Sequence, residues 1–302
     1  MAAAARDKAT WRSAALGEPH ELRLGQGELR YHDTGSGAPL VFVHGALVNA
    51  NLWRKVVPLL APDFRCIALD LPLGSHAVPL PPSTELSPPA LADLIADAIE
   101  AIGVEDATLV ANDTGGALSQ LVVTRRPERV ARLVLTSCDA FDNFPPKMIQ
   151  PLLPILRLPG AVRVMLAPFR FHAPRAVLMN AAAKRGVDRQ AEDSYALPPV
   201  VSAGVRRDVK KVLTGLNRRY TLEAADRLPG FDRPVLIAWS REDKFFPTEH
   251  AERLAELFPD ARLEWIEDAY TFSPEDQPRR VAELIAGFVR QPAPAGSAAE
   301  PH

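Results

Sequence analysis

Leu109-Val110-Ala111-Asn112-Asp113-Thr114-Gly115-Gly116-Ala117-Leu118 is the stretch whose reading decides the fold. The apolar run at 107–111 predicts a buried strand, and Leu118, Leu121 and Val122, closed by Arg125-Arg126-Pro127, carry helical spacing. Strand passes to helix within three residues. So tight a turn forces its central residue to positive φ, which Asp tolerates better than most, and the small residues Ala111 and Gly115 relieve the crowding. The turn would hold the Asp113 carboxylate at the positive end of a helix dipole, above the carboxyl edge of a sheet. Capping the helix is the other job of such an aspartate. What stands around it in the chain separates the two.

Upstream, 21–24 and 28–31 alternate polar and apolar residues about a Gly-Gln-Gly turn, a hairpin signature. Pro39-Leu-Val-Phe-Val43 is wholly apolar, the mark of a strand buried on both faces, and it ends at His44-Gly45-Ala46-Leu47. Helical spacing follows at 53–60. A second buried strand, 65–70, leads into a Pro-Leu-Gly-Ser-His76 loop, and a helix over 91–102 stops at Gly103. After the Asp113 turn and its helix comes the strand 132–136. From 140 to 228 prolines break short apolar helical pieces, followed by longer basic ones carrying Arg206, Arg207, Lys210, Lys211, Arg218 and Arg219, read as a solvated face. Alternation resumes with a strand at 234–239, a helix at 248–258, a strand at 262–266 and a helix at 278–289. The expectation is an α/β fold: a mostly parallel sheet with helices on both faces and a helical insertion. The core takes 19–139 and 229–290, the insertion 140–228, with a loose arm at 1–18 and a disordered tail at 291–302.

A chain of 302 residues has room for a substantial core. Its 35 Lys and Arg against 37 Asp and Glu lack the basic excess of a nucleic-acid binder. Hydrophobic content of 47% fits an ordinary globular protein, and the 29 prolines fall mostly in loops and the middle third. Two cysteines, Cys66 and Cys138, make neither a disulfide framework nor a metal cluster. The start lacks the apolar core of a secretory signal, and no run is long enough to span a membrane. The expectations are therefore a cytoplasmic monomer or homodimer with a small-molecule substrate, without nucleic-acid or membrane partners, cofactor or metal.

Taken together, the buried strand before His44-Gly45, the Asn112-Asp113-Thr114-Gly115-Gly116 turn and the Trp239-Ser-Arg-Glu-Asp243 segment resemble the α/β-hydrolase family over about residues 19–290. The turn is similar to that family's nucleophile elbow with Asp in place of Ser. The resemblance is to the branch of haloalkane dehalogenases and epoxide hydrolases, in which a carboxylate attacks carbon to form an ester. It implies Asp113 as nucleophile and Asp243 as the triad acid. It also implies oxyanion and substrate contacts from His44, Gly45, Ala46 and Thr114, and a cap over 140–228. In that branch a His follows the last strand and activates water, with the acid orienting it. Here Tyr270-Thr271 stand where Gly-His belongs, and neither is a base at neutral pH. Thr271 therefore enters the candidate site, with Tyr270 beside it.

Among the seven histidines, His76 is the candidate substitute, because its loop leaves the carboxyl end of a strand. His250 reads as solvated. Asp139, after the strand following the turn, matches an alternative acid position. Thr114 stands where dehalogenases carry a halide-binding Trp, and Ala46 where they often carry Asn, which argues against dehalogenation. The insertion holds two tyrosines, Tyr195 and Tyr220, as candidate epoxide protonators; Tyr220 continues the apolar stripe of Val209, Val212, Leu213 and Leu216. The reading is an enzyme that hydrolyses an ester, epoxide or related bond of a small apolar substrate through Asp113. The missing His leaves two alternatives, a proton-transfer enzyme (isomerase, cyclase or lyase) and a non-catalytic binder.

Overall fold

Val41, Phe42, Val43, Leu109, Val110, Ala111, Leu133, Val134 and Leu135 are all solvent-free. Such runs have no polar face to present to water, so they occupy the middle of a sheet covered on both sides. In the computed structural model, which describes residues 2–291, they are the central strands of a single eight-stranded sheet. The strands are β1 (Glu18–Leu24), β2 (Gly27–Thr34), β3 (Ala38–Val43), β4 (Phe64–Asp70), β5 (Thr108–Asp113), β6 (Arg132–Cys138), β7 (Val235–Ser240) and β8 (Ala261–Ile266). Their order is β1-β2-β4-β3-β5-β6-β7-β8. The hairpin β1–β2 and the β2–β4 pair are antiparallel and the other pairs parallel, so the sheet is mostly parallel as expected.

Helices cover both faces, and the core divides accordingly. One cluster packs the helices Pro88–Ala101 and Thr114–Arg125 under Val41, Leu109 and Leu133. The other packs the final helix Pro278–Arg290 against Phe42, Val110 and Leu236. Odd and even positions of one strand feed opposite clusters, as the two-residue strand period requires. The expected helix at 53–60 is shorter than read: a 3₁₀ turn, Ala50–Trp53, precedes one helical turn at Val57–Leu60.

Between β6 and β7 the chain leaves the sheet for a series of helices, including Ala161–Leu166, His172–Ala182, Arg189–Ala196, Ala203–Gly215 and Arg218–Ala225. Three of the six basic residues read as a solvated face are engaged with backbone carbonyls. Arg206 donates to the Pro199 and Val200 carbonyls, Lys211 to those of Pro82 and Thr84, and Arg207 to Asp208 and the Leu80 carbonyl. The Lys211 contacts and the Arg207 contact with Leu80 tie the insertion to the loop after β4.

The reading of 1–18 as a loose arm is corrected. Ala2–Thr10 is a helix contacting Arg189–Ala196 and Pro198–Val201. Ala9 and Leu16 are buried. The anchor is Arg12, whose guanidinium makes a two-pronged pair with buried Asp70 (2.8 and 3.1 Å) and also donates to the Ser75 carbonyl. Composition suggested looseness because the alanines offer little to bury; one charge with a buried partner reverses that. Of the tail, 292–302 lie outside the described residues.

Candidate active site at the Asp113 turn

Asp113 ends β5 with φ 56° and ψ −132°, and the helix Thr114–Arg125 begins at the next residue. A non-glycine residue held there costs about 1–3 kcal/mol, which the packing around it must overcome. Its neighbours are small because there is no room for more. A Cβ on Gly115 would lie 2.6 Å from the Val43 and His44 carbonyl oxygens, and one on Gly45 would overlap the Asp113 carboxylate itself. The Asp113 side chain makes no helix-capping hydrogen bond, so the capping role does not explain it. Instead it lines a cavity of about 120 Å³, between the sheet edge and the insertion.

The cavity walls are Ala46, Leu47 and Val48 from the loop after β3, Pro145, Pro146 and Ile149, Leu178, Met179 and Ala182, Leu213 and Leu216, and Phe245 and Phe272. Its polar side chains are Asp113, Thr114 and Thr271. Each threonine hydroxyl is committed away from the cavity. Thr114 Oγ1 donates to Asp139 (3.1 Å) and Thr271 Oγ1 to Asp243 (2.9 Å). The polar side chains of this apolar chamber thus present acceptors.

Three aspartates crowd this edge of the sheet. The Asp113 carboxyl is pushed up to about 7, chiefly by burial and also by Asp243, against the pull of the backbone N–H groups of Thr114 and Ala46. Asp139, fully buried, is raised well above the usual carboxylate range by burial and by Asp113. Asp243 is raised chiefly by burial, against the pull of the Phe246 and Phe245 N–H groups and the Thr271 hydroxyl. Its Oδ1 accepts from all three, at 2.8–2.9 Å. Its Oδ2, and Asp139 Oδ1, are buried without partners.

Asp113, Thr114, Ala46 and Thr271 are therefore brought together at one cavity, with Gly45, Asp139 and Asp243 directly behind them. Thr271 takes a hydrogen-bonding position on Asp243 but carries no titratable nitrogen. Asn112, which the sequence reading did not single out, holds it there: Nδ2 donates to the Thr271 carbonyl (2.8 Å), to Thr136 Oγ1 (2.9 Å) and to the Ser137 carbonyl (3.2 Å).

The other candidates lie elsewhere. His44 is fully buried with both ring nitrogens engaged: Nδ1 bonds the Gly45 carbonyl (2.8 Å), and Nε2 accepts from the Leu71 N–H (2.9 Å). Burial lowers it to about 4. It is a neutral brace for the loop rather than a substrate contact or a base. His76 is turned into the body of the protein, its Nε2 at 3.2 Å from Asp208 of Ala203–Gly215 and its Nδ1 at 3.4 Å from the Gly74 N–H, and it does not line the Asp113 cavity. A buried ion partner on the insertion, invisible in one sequence, claims it.

Tyr270 lies outside the cavity wall, beneath the Lys244 ammonium at 3.7 Å. His250 is mostly buried, its ring edge on Phe141, not solvated as read. Neither insertion tyrosine lines the cavity: Tyr195 is buried with Glu275 and Arg54, and Tyr220 packs on the core. Leu213 and Leu216 of that apolar stripe are walls of the chamber. Among the described residues no group of three or more His, Cys, Asp or Glu side chains is arranged to hold a metal ion.

A mostly parallel sheet of this order, a strained strand-to-helix turn at the carboxyl end of β5, and a buried aspartate after β7 are the marks of an α/β-hydrolase. Residues 38–278 match the model of the alpha/beta hydrolase fold family, and the chain belongs to that family as an enzyme of the hydrolase type. It is 28% identical over 278 residues to haloalkane dehalogenase 2 of Mycobacterium tuberculosis, covering 86% of this chain and 91% of that one. Haloalkane dehalogenase DbeA from Bradyrhizobium elkani superposes with a TM-score of 0.75 at 22% identity, over 90% of this chain and 97% of that one. The epoxide hydrolase CorEH does so with a TM-score of 0.75 at 19% identity, over 90% and 98%. Those two likenesses are of fold. Among the described residues no helix is long and apolar enough to cross a membrane.

Proposed function

We propose that Asp113 is the catalytic nucleophile of a hydrolase acting on a small, largely apolar organic substrate held between the sheet edge and the helical insertion, which serves as its cap. One observation carries the reading: a carboxylate held in a strained turn, capping nothing, at the floor of an apolar chamber. One carboxylate oxygen attacks a saturated electrophilic carbon, the C–O bond there breaks, and an alkyl ester joins the substrate to Asp113; the departing oxygen leaves as the free carboxylate of an ester substrate, or in an epoxide stays attached and takes its proton from water. Water then adds to the ester carbonyl, the Ala46 and Thr114 N–H groups hold the oxyanion, and collapse returns the carboxylate and releases an alcohol.

The haloalkane dehalogenase relative supports the nucleophile. The cavity supports ester or epoxide hydrolysis over dehalogenation, because no tryptophan lines it and Thr114 and Ala46 stand beside Asp113. With Thr271 in place of an imidazole, the Thr271 hydroxyl oxygen, held by Asp243, accepts from the water and no strong base deprotonates it. Ester hydrolysis is then the slow step. A second reading draws on the Asp113 carboxyl being pushed up to about 7 in a site without a histidine base. A carboxyl so poised suits general acid–base transfer in isomerisation or carbon–carbon cleavage.

The test is turnover of a panel of small esters and epoxides by the wild type and D113N, with quenched time courses. The nucleophile reading expects an initial burst of released carboxylate from the esters, build-up of the covalent ester with the epoxides, a slower steady rate with both, and loss of turnover in D113N. Turnover retained in D113N would refute both readings; turnover lost without a burst or a covalent ester would leave the proton-transfer reading.

A further inference from the structure

From Asn143 to Val187 the sequence contains no Asp or Glu, yet it contains seven Lys and Arg. Four of those charges are answered from outside the segment: Lys147 by Asp142, Arg175 by Glu192 and Asp193, and Lys184 and Arg185 by Asp268. Arg157, Arg163 and Arg170 are exposed and have no carboxylate partner among the described residues. The same segment concentrates exposed apolar side chains. Of the nine large hydrophobic residues exposed among the described residues, seven fall in 148–177, including Ile155, Leu158, Val164 (73% exposed) and Phe171 (58%). Scattered exposed apolar residues need no explanation, but this many on short elements that contact one another do.

The two kinds of residue are interleaved. Arg163 precedes Val164, and Arg170 precedes Phe171 with its guanidinium 4.8 Å above the ring. Arg163 and Arg170 also converge with Arg206 on a groove of about 290 Å³. Arg206 is fixed by its bonds to the Pro199 and Val200 carbonyls and has no carboxylate partner there. Three unanswered guanidiniums around one groove favour a phosphate oxyanion, and their planar forks suit it.

We propose that this face of the insertion docks on an anionic phospholipid surface, with Phe171, Val164, Leu158 and Ile155 entering the headgroup boundary and Arg163, Arg170 and Arg206 receiving lipid phosphate. Charge complementarity selects the occupant: an apolar partner alone would leave the arginines unanswered, and free phosphate would leave the apolar side chains in water. Binding of this kind is peripheral. It has a consequence for the chamber, since Pro145, Pro146 and Ile149 of the same segment form its wall. An apolar substrate dissolved in the bilayer would then meet the enzyme beside its cavity. The proposal does not rest on the role of Asp113.

The test is sedimentation of the full chain with phosphatidylcholine vesicles with and without phosphatidylglycerol, at rising salt. Binding is expected to the anionic vesicles, to weaken with salt, and to fall about fivefold for each of R163Q and R170Q. F171S should weaken binding further, with the circular dichroism spectrum unchanged. Failure to bind anionic vesicles overturns the proposal, and so does binding indifferent to R163Q and R170Q. Saturation of the groove by inorganic phosphate without vesicle binding, or self-association that F171S abolishes in place of vesicle binding, assigns the face to another occupant and overturns it too.

Discussion

Replacing Asp113 by Asn should stabilise the protein, and by an amount that depends on pH. The wild-type carboxyl ionises near 4 in the unfolded chain and near 7 in the folded one. Below about pH 4 it is protonated in both states and contributes nothing to the difference. Between those values the folded state holds a proton that the unfolded state has released, so stability falls as pH rises, and above about 7 the full cost is present. A shift of roughly three units corresponds to about 4 kcal/mol. Contact with the cavity and relaxation of Asp139 and Asp243 reduce this, so about 2–4 kcal/mol is the expected range.

Asn is neutral throughout and nearly isosteric. Its stability relative to wild type should therefore be close to unchanged near pH 4 and rise by that amount near pH 8. For a chain of this size the gain amounts to several degrees in Tm. Thermal unfolding of both proteins across that range decides it. A difference that stays flat with pH would refute the claim that burial and the neighbouring aspartates hold this carboxyl in its neutral form. The pH profile of activity has the opposite slope: a nucleophile must be ionised, so the rate should rise through about pH 7.

Removing Arg12 in R12A leaves the Asp70 carboxylate buried without its guanidinium, and should cost about 3–5 kcal/mol, read as a drop in Tm. R12A should also slow turnover, because Asp70 is followed by Leu71, whose N–H fixes the His44 brace of the Ala46 loop. T271H restores an imidazole beside Asp243; it should speed ester hydrolysis by about 10²-fold or more and remove the burst. An unchanged steady rate in a folded T271H would count against the missing base as the slow step.

The sheet was legible because its strands are apolar throughout, and runs such as 39–43 and 107–111 have one stable place, the centre of a covered sheet. The Asp113 turn was legible for a local reason as well: few sequences can pass from strand to helix in three residues, and small neighbours betray one that does. Sequence failed where a partner comes from far along the chain. Arg12 is read as part of a loose arm until Asp70 is known to face it, 58 residues on. His76 looks free until Asp208 closes on it across 132 residues. The chamber walls were missed because lining residues such as Leu213 and Met179 carry the same helical spacing as core residues. Only the empty space beside them distinguishes the two. Asn112 could have been singled out, since a polar residue in an otherwise apolar strand next to a strained turn must find partners inside.

The most direct test of Asp113 as the reacting carboxylate is intact-protein mass spectrometry on enzyme quenched during turnover of a small apolar epoxide such as styrene oxide, followed by peptide mapping. The expected result is a mass increase equal to one substrate, carried by the peptide containing Asp113 and absent in D113N. Product formation with an unmodified Asp113 peptide at every quench time, and the same rate in D113N, would contradict it.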